Sequence, residues 1–526
     1  MADVAALARL GYAGFVLARA GAFSLPDVET LPAGPRSVVR LARLLGPRHL
    51  TDTGRAERLT HALNRLGPSY LKLGQFLATR PDLIGAEAAT VLGRLRDEIP
   101  PFPDEEARAT VARSLGRPVE ALFASFSAPV AAASIAQVHK AELAAPAGGT
   151  RTVAVKVLRP GVRDRFRRDL ETFFAGARFV ERIDPASQRL RPVVVVETLA
   201  RSVAIEMDLR LEAAALSEMA ELTAGDTGFR VPRVEWELTA RDVLTLEWID
   251  GIKLSDVAAL RAAGHDLKAI ARRLMQAFLR QALRDGFFHA DMHQGNFFVD
   301  PAGTIVAIDF GIMGRLGMKE RRFLAEILYG FIRRDYRRVA EVHFEAGYVP
   351  AVHSVDDFAQ AIRAIGEPIH GQAASEISMA RLLTLLFEVT EIFYMETRPE
   401  LLLLQKTMVV VEGVARTLDP SFDMWAASEP VIRDWMERNL GPAGQLERVV
   451  EGLGSLGRLA GELPRLAERA ERLSREFAEM GERGIRLDPE TIAEIGRSES
   501  RGGRWGRVAL VVIAVVVVVA GLRLFF

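Results

Sequence analysis

The chain of 526 residues contains no cysteine. A disulfide framework, a thiolate zinc site, an iron–sulfur cluster and a cysteine nucleophile are therefore excluded. A reducing compartment is compatible with this but not required by it. Net charge is absent too, since 68 Lys+Arg balance 68 Asp+Glu. No global attraction to nucleic acid follows, and none is expected as a partner. No repeat of fixed period runs along the chain. What is present is apolar sequence: 49% hydrophobic against 26% charged, ample for a large core. Chain-wide disorder and a collagen-like repeat are ruled out. The length allows two to four domains, or one large domain with extensions.

The N-terminal stretch does not read as a secretory signal, because Asp3, Arg9 and Arg19 interrupt it. It reads as an amphipathic helix. The C-terminal end differs sharply. Residues 508–522 are uninterrupted valine-rich apolar sequence, followed by Arg523. From 508 to the last residue the stretch is close to the ~20 residues that span a bilayer core. Arg501, Arg504 and Arg507 crowd its near side with Trp505. The expectation is a single transmembrane segment over 508–526, with the main body on the cytoplasmic side.

Between these ends, helical periodicity over 55–98 is broken at Pro100-Pro101-Phe102-Pro103. Short strands are predicted from 118 to 160, helices over 162–222, and a further strand at Val243-Leu244-Thr245-Leu246-Glu247-Trp248-Ile249. An amphipathic helix follows over 255–285, strand–loop–strand over 287–311, and helices from 318 to about 440. Residues 441–500 read as a solvated amphipathic linker rich in Arg and Glu.

The chemistry sits in His289-Ala290-Asp291-Met292-His293-Gln294-Gly295-Asn296. Its spacing matches the kinase catalytic loop H-R-D-x-x-x-x-N. Asp291 is placed to orient a hydroxyl or water, and Asn296 to reach a magnesium ion. Ile308-Asp309-Phe310-Gly311 follows one short strand later, and phosphoryl transfer needs such a hard carboxylate on magnesium. Upstream, Val153-Ala154-Val155-Lys156 resembles the lysine strand that meets the α and β phosphates. Glu212 and Glu206 are both candidates to hold that lysine. Singly these signals are weak; in this order, on suitable elements, chance assembly is a poor account of them. The expected glycine-rich loop is missing. Val130-Ala131-Ala132-Ala133-Ser134-Ile135-Ala136-Gln137-Val138 stands there instead, and alanine approaches phosphate less freely than glycine. The loop is still expected to cover nucleotide, with Val130, Ala131, Ala132, Ala133, Ser134 and Val138 as contacts. Its bland reading is an alanine-rich helix start.

The alanine-rich loop, Lys72-Leu73-Gly74-Gln75, Glu206-Met207-Asp208 and the His289 loop together resemble the UbiB/ADCK family of atypical kinases, from about 55 to 440. The K-x-G-Q motif is the most specific part. The resemblance implies an α+β, bilobal protein-kinase-like fold with an N-terminal helical extension and, here, a C-terminal transmembrane helix. The expected divisions are an N-terminal helical segment (1–54), the K-x-G-Q extension (55–117), an N-lobe with inserted helices (118–250), a helical C-lobe (251–440), the linker (441–500) and the membrane segment (508–526). The K-x-G-Q helix would lie over the active site, and Lys72 and Gln75 would find the acidic pair Glu206 and Asp208.

The implied function is ATP- and Mg2+-dependent phosphoryl chemistry supporting ubiquinone biosynthesis at the inner (cytoplasmic) membrane. Lys156, held by Glu212, would grip the phosphates. Asn296 and Asp309 would hold magnesium. Asp291 would orient the acceptor, and Lys72 with Glu206 would gate access. Adenine would meet backbone around Glu247 and Ile249. The implied partners are membrane lipids and quinone precursors, with other quinone-biosynthesis enzymes or a second copy through 441–500 left open. Met292 and Gln294 replace the family's prolines, which should loosen the loop slightly. Ala213 to Ala215 stand where the family often has an Asn. A nucleotide-switched scaffold and a small-molecule phosphotransferase are the rival readings. An oxidoreductase acting on the quinone ring is disfavoured by the lack of a G-x-G-x-x-G unit and of any redox motif.

Overall fold

The computed structural model describes residues 2–21, 52–78, 84, 91–92, 99–144, 149–183, 191–370, 389, 392–395 and 399–441. Met1–Met436 forms one compact unit and Glu437 opens a second.

Helices α1 (Ala2–Ala20), α2 (Asp52–Leu66) and α3 (Pro68–Ala78) precede α4 (Asp104–Leu115) and the short α5 (Val119–Leu122). Then come β1 (Ser125–Ala132), β2 (Ala136–Ala144) and β3 (Thr150–Leu158). Together with β5 (Val243–Glu247) they form an antiparallel sheet in the order β1-β2-β3-β5. The alanine-rich stretch is thus strand, tight turn and strand, and no helix starts there. A period of two organises β3. Val153, Val155 and Val157 are fully buried against Phe102, Ala107, Val111 and Val243. Each such side chain contributes about 1.5–3 kcal/mol. Lys156 therefore points to the other face, in register between Val138 and Leu244.

Helices α6 (Val162–Ile183), α7 (Pro192–Glu206) and α8 (Leu209–Leu222) follow β3. In α8, Leu209, Glu212, Ala213, Leu216 and Met219 share the buried stripe. The N-terminal helices dock on α6. Arg9 Nε donates to Thr172 Oγ1 at 3.0 Å, and the Tyr70 and Phe173 rings meet edge to face at 4.9 Å. Between α2 and α3, Gly67 has φ +109°, and a Cβ there would strike the Arg165 guanidinium. That guanidinium donates to Leu66 O at 2.8 Å. The turn that aims the K-x-G-Q helix thus requires glycine.

A second sheet runs β4 (Phe229–Arg230), β9 (Ile305–Ala307), β8 (Phe297–Val299), β6 (Ile252–Lys253), with β7 (Phe287–His289) and β10 (Met313–Arg315) paired beside it. α9 (Val257–Ala262) precedes α10 (Leu267–Leu279), which is capped by Asp266 and buries Ile270, Leu274 and Phe278. α10 runs on into a π-helical turn, Arg280–Asp285, closed by Gly286 at φ +67°. A Cβ on Gly286 would lie 2.5 Å from Leu316 O. Helices α11 (Met318–Arg333), α12 (Tyr336–Glu345), α13 (Val355–His370), α14 (Pro399–Leu418) and α15 (Met424–Leu440) complete the described chain. α14 packs along α10. Among the described residues no helix is long and apolar enough to cross a membrane. The expected span over 508–526 and, from residue 442 on, the expected linker over 441–500 lie outside those residues.

His343 on α12 is buried, with Nδ1 donating to Val339 O at 2.7 Å and its ring against Phe358. Burial pushes its pKa down to about 4. The unfolded chain then binds the extra proton below about 6.5, so this contribution is complete above that pH and lost as pH falls toward 4. It amounts to about 3 kcal/mol. The expected outcome is a smaller fall in melting temperature between pH 7 and pH 5 for His343→Gln than for the unaltered protein. Equal falls would exclude His343 as a source of acid sensitivity.

Candidate functional site

The lysine strand and α8 meet at one ion pair. Lys156 Nζ donates to both Glu212 oxygens at 2.7 and 2.9 Å, and to Asp309 Oδ2 at 3.3 Å. Glu212 stands in the first turn of α8, which Asp208 caps by accepting from Arg210 N at 3.2 Å. The Phe310 N–H also donates to Glu212 Oε1, at 3.4 Å. One ammonium thus serves two carboxylates. Burial opposes the charge on Lys156, but Asp309 and Glu212 outweigh it and hold its pKa above the ordinary lysine value. Burial raises Glu212, against the pull of Lys156. Asp309 goes the other way. Burial would raise it, yet Lys156, the Gly311 N–H, His289 and Lys72 hold it well below the usual carboxylate range.

The catalytic-loop candidates lie beside this triad. Asn296 Nδ2 donates to Asp291 O at 3.0 Å and faces Asp291 Oδ2 at 3.4 Å. His289 is buried between the Phe297 and Phe310 rings, and its Nδ1 accepts from Asp291 N at 3.1 Å. Met292 is fully buried, so apolar packing holds its side chain in the loop. With Nδ2 bound to Asp291, the Asn296 Oδ1 remains as the side chain's acceptor. Asn296 and Asp309 thus offer one amide oxygen and one carboxylate. These are hard donors of the kind magnesium takes when phosphates and water fill its remaining positions. Among the described residues no cluster of three or more His, Cys, Asp or Glu could hold a metal.

Lys72 Nζ lies 2.7 Å from Glu206 Oε2 at the C-terminal end of α7, and its charge reaches Asp309. The structure therefore gives Glu212 to Lys156 and Glu206 to Lys72. Asp208 does not join Lys72. It turns to Arg210, bonding Nε and Nη2 at 2.9 and 2.7 Å, because an N-cap carboxylate is held at its own helix end.

Around the expected nucleotide contacts, Val130, Ala131 and Ala132 lie in β1 and Val138 in β2, while Ala133 and Ser134 make the turn. The Ala133 N–H is closed onto Ala136 O at 2.8 Å, and Ser134 is buried. The Glu247 N–H is spent on Arg233 O at 2.9 Å, and its side chain on Arg230 at 3.1 Å. Ile249 is buried just beyond.

Sequence reasoning missed four residues. Gln281 Oε1 accepts from His289 N at 3.2 Å, and Thr407 Oγ1 lies 3.1 Å from Ala290 O. Arg315 grips Glu218 of α8 at 2.8 and 2.6 Å, and Arg284 grips Asp226 just beyond α8 at 2.6 and 3.1 Å. None belongs to a local motif. Only the fold brings them in.

Residues 94–343 match the ABC1 atypical kinase-like domain, and residues 362–423 the UbiB helical domain. A Marinobacter nauticus protein named "Probable protein kinase UbiB" is 41% identical over 435 residues, 81% of this chain and 79% of that one. The chain belongs to the UbiB family of atypical kinases. Proteins of the same name from Xanthomonas oryzae pv. oryzae and Xanthomonas axonopodis pv. citri are 41% and 40% identical over 439 residues, each covering 81% of this chain and 79% of the relative. A Mycobacterium tuberculosis protein solved in complex with erythromycin superposes with a TM-score of 0.50 at 26% identity, covering 75% of this chain and 98% of that one. The UbiB fold here is kinase-like α+β.

The Lys72–Glu206 pair is shielded, with side chains 15% and 9% exposed. Removing one member of such a pair costs about 3–5 kcal/mol, whereas replacing both by apolar groups costs much less. Urea unfolding should place Glu206→Ala well below the unaltered protein in midpoint. Lys72→Met with Glu206→Leu should recover most of the loss. A double variant as weak as the single one would show that the pair's charge balance is not what holds α3 to α7.

Proposed function

We propose that this chain is an ATP-dependent UbiB-type atypical kinase or ATPase that supports ubiquinone biosynthesis at the inner membrane. The observation that carries the reading is the joining of Lys156, Glu212 and Asp309 in one ion-paired group beside Asp291 and Asn296. Two carboxylates share one ammonium there, which leaves a net negative charge suited to a divalent cation.

In this reading Lys156 meets the α and β phosphates, and Glu212 fixes its position. Asp309 and Asn296 hold magnesium, which when bound neutralises charge on the phosphate oxygens. Asp291 accepts or orients the proton of the attacking hydroxyl or water. Lys72, tied to Glu206, guards the approach from the N-terminal helices. The hinge at Glu247 and Ile249 offers its remaining backbone groups to adenine. Membrane lipids and phenolic quinone precursors are the partners that fit the apolar stretch at 508–526, with a cytoplasmic main body. Other quinone-biosynthesis enzymes and a second copy of the chain are further candidates.

A second reading, a nucleotide-switched scaffold, is favoured by the alanine turn. Its Ala133 N–H is already bonded to Ala136 O, where a glycine-rich loop would offer N–H groups to phosphate.

The test is magnesium-dependent ATP hydrolysis by the full chain, with and without anionic liposomes and a phenolic precursor analogue. Hydrolysis should rise with both additions. In Asp309→Asn it should fall by at least about a hundredfold, the worth of the metal's charge stabilisation. Nucleotide binding without turnover under every condition would sink the enzyme and favour the scaffold. A Lys156→Ala chain that still supports quinone synthesis in cells would do the same.

A further inference from the structure

We infer that Thr407, on α14 in the region matching the UbiB helical domain, is a positioning residue for Asp291. The inference rests on the reading of Asp291 given above.

The backbone around Asp291 can be accounted for group by group. The His289 N–H goes to Gln281 Oε1 at 3.2 Å, on the π turn. The Ala290 N–H goes to Ile312 O at 3.1 Å, and the Asp291 N–H to His289 Nδ1 at 3.1 Å. Asp291 O accepts from Asn296 Nδ2 at 3.0 Å. The carbonyl of Ala290, directly before Asp291, has one donor among the described residues: Thr407 Oγ1, at 3.1 Å. Thr407 is 1% exposed, so water does not readily stand in for it. Its hydroxyl also approaches Leu403 O at 2.8 Å. That carbonyl is already served by the helix ladder and does not need a second donor. The Ala290 carbonyl does.

The rotation of the peptide between Ala290 and Asp291 is therefore held from two sides. One side is its N–H, fixed within the loop through His289. The other is its C=O, fixed by a helix more than a hundred residues away in sequence. Loss of the second hold lets this peptide turn, and the Asp291 carboxylate turns with it. Misplacement of the group that orients the acceptor lowers the chemical step more than nucleotide binding. The helical domain thereby supplies part of the catalytic loop's support, reaching it without contributing a group to the phosphates.

Thr407→Val keeps the branched shape and removes the hydroxyl, while Thr407→Ser keeps the hydroxyl. Two readouts on the full chain are needed. The first is hydrogen exchange of peptides covering 287–297, which does not depend on turnover. The second is the kcat and KM for ATP. Thr407→Val should raise exchange in the loop about tenfold and lower kcat about tenfold, the scale of one buried hydrogen bond. KM should stay within about twofold, and Thr407→Ser should restore both readouts. Unchanged exchange in a folded Thr407→Val overturns the inference, whether or not the protein hydrolyses ATP. So does raised exchange with unchanged kcat, or a rise in KM equal to the fall in kcat/KM. If Thr407→Val does not fold, Thr407→Ala takes its place against Thr407→Ser. If the unaltered protein shows no turnover, the reading of Asp291 as a catalytic group fails. Positioning of the loop by Thr407 then stands or falls on exchange alone.

Discussion

A lysine in the middle of a strand can be withdrawn from water only if something nearby returns the solvation it loses, and in this protein that requirement organises both lobes. Lys156 is forced to its face of the sheet by the three valines that alternate with it in β3. Glu212 must then arrive from α8, which fixes the rotation of that helix, and Asp309 must arrive from beyond β9, which fixes the second sheet beneath it. A pair with one partner missing would leave a charge stranded at several kcal/mol. Strand, helix and the Asp309 segment thus converge on one ammonium.

The rest of α8 is tied down in ways of unequal weight. Arg315, in the strand that follows the Asp309 segment, forks onto Glu218, but both side chains are more than a third open to water, where such pairs are worth at most about 1 kcal/mol. Arg284 is different. It bonds Asp226, Asp285 and Leu222 O, and Asp226 is almost entirely shielded. The end of α8 is therefore fastened to the π turn, and the π turn carries Gln281 to the catalytic loop. A π turn shifts the side chains that follow it off the α-helical stripe. Here that shift brings helix α10's continuation under His289.

What was legible in the sequence follows from the range of the physics involved. β3 announces itself through valine alternation. The candidate catalytic loop and Asp309 announce themselves through a spacing that matches the kinase pattern. The residues alone could not separate Glu206 from Glu212, since each is a helix carboxylate within reach of a lysine; only the family resemblance gave Glu212 to Lys156 and Glu206 to Lys72. What separates them is where α7 ends and α8 begins, and Asp208 marks that boundary by capping α8, which is why it is lost to Lys72. Thr407, Gln281, Arg284 and Arg315 were not legible at all. Each acts on backbone or on a distant charge, and a hydroxyl or amide on an apolar helix gives no periodic signal of what it will meet.

The candidate catalytic loop has Met292 and Gln294 where the resemblance leads one to expect prolines, so its shape is fixed by other means. Prolines would restrict φ at positions 292 and 294 without using any partner. Methionine and glutamine leave those dihedrals free, so the restriction has to come from contacts. Met292 is packed with no exposed surface. Gln294 opens a single 3-10 turn, capped by His293 Nδ1 accepting from Gly295 N at 3.0 Å. Asn296 closes the turn back onto Asp291. A loop fixed by covalent geometry keeps its shape when its neighbours move. A loop fixed by buried contacts keeps it only while those contacts, the Phe297 and Phe310 rings among them, stay in place.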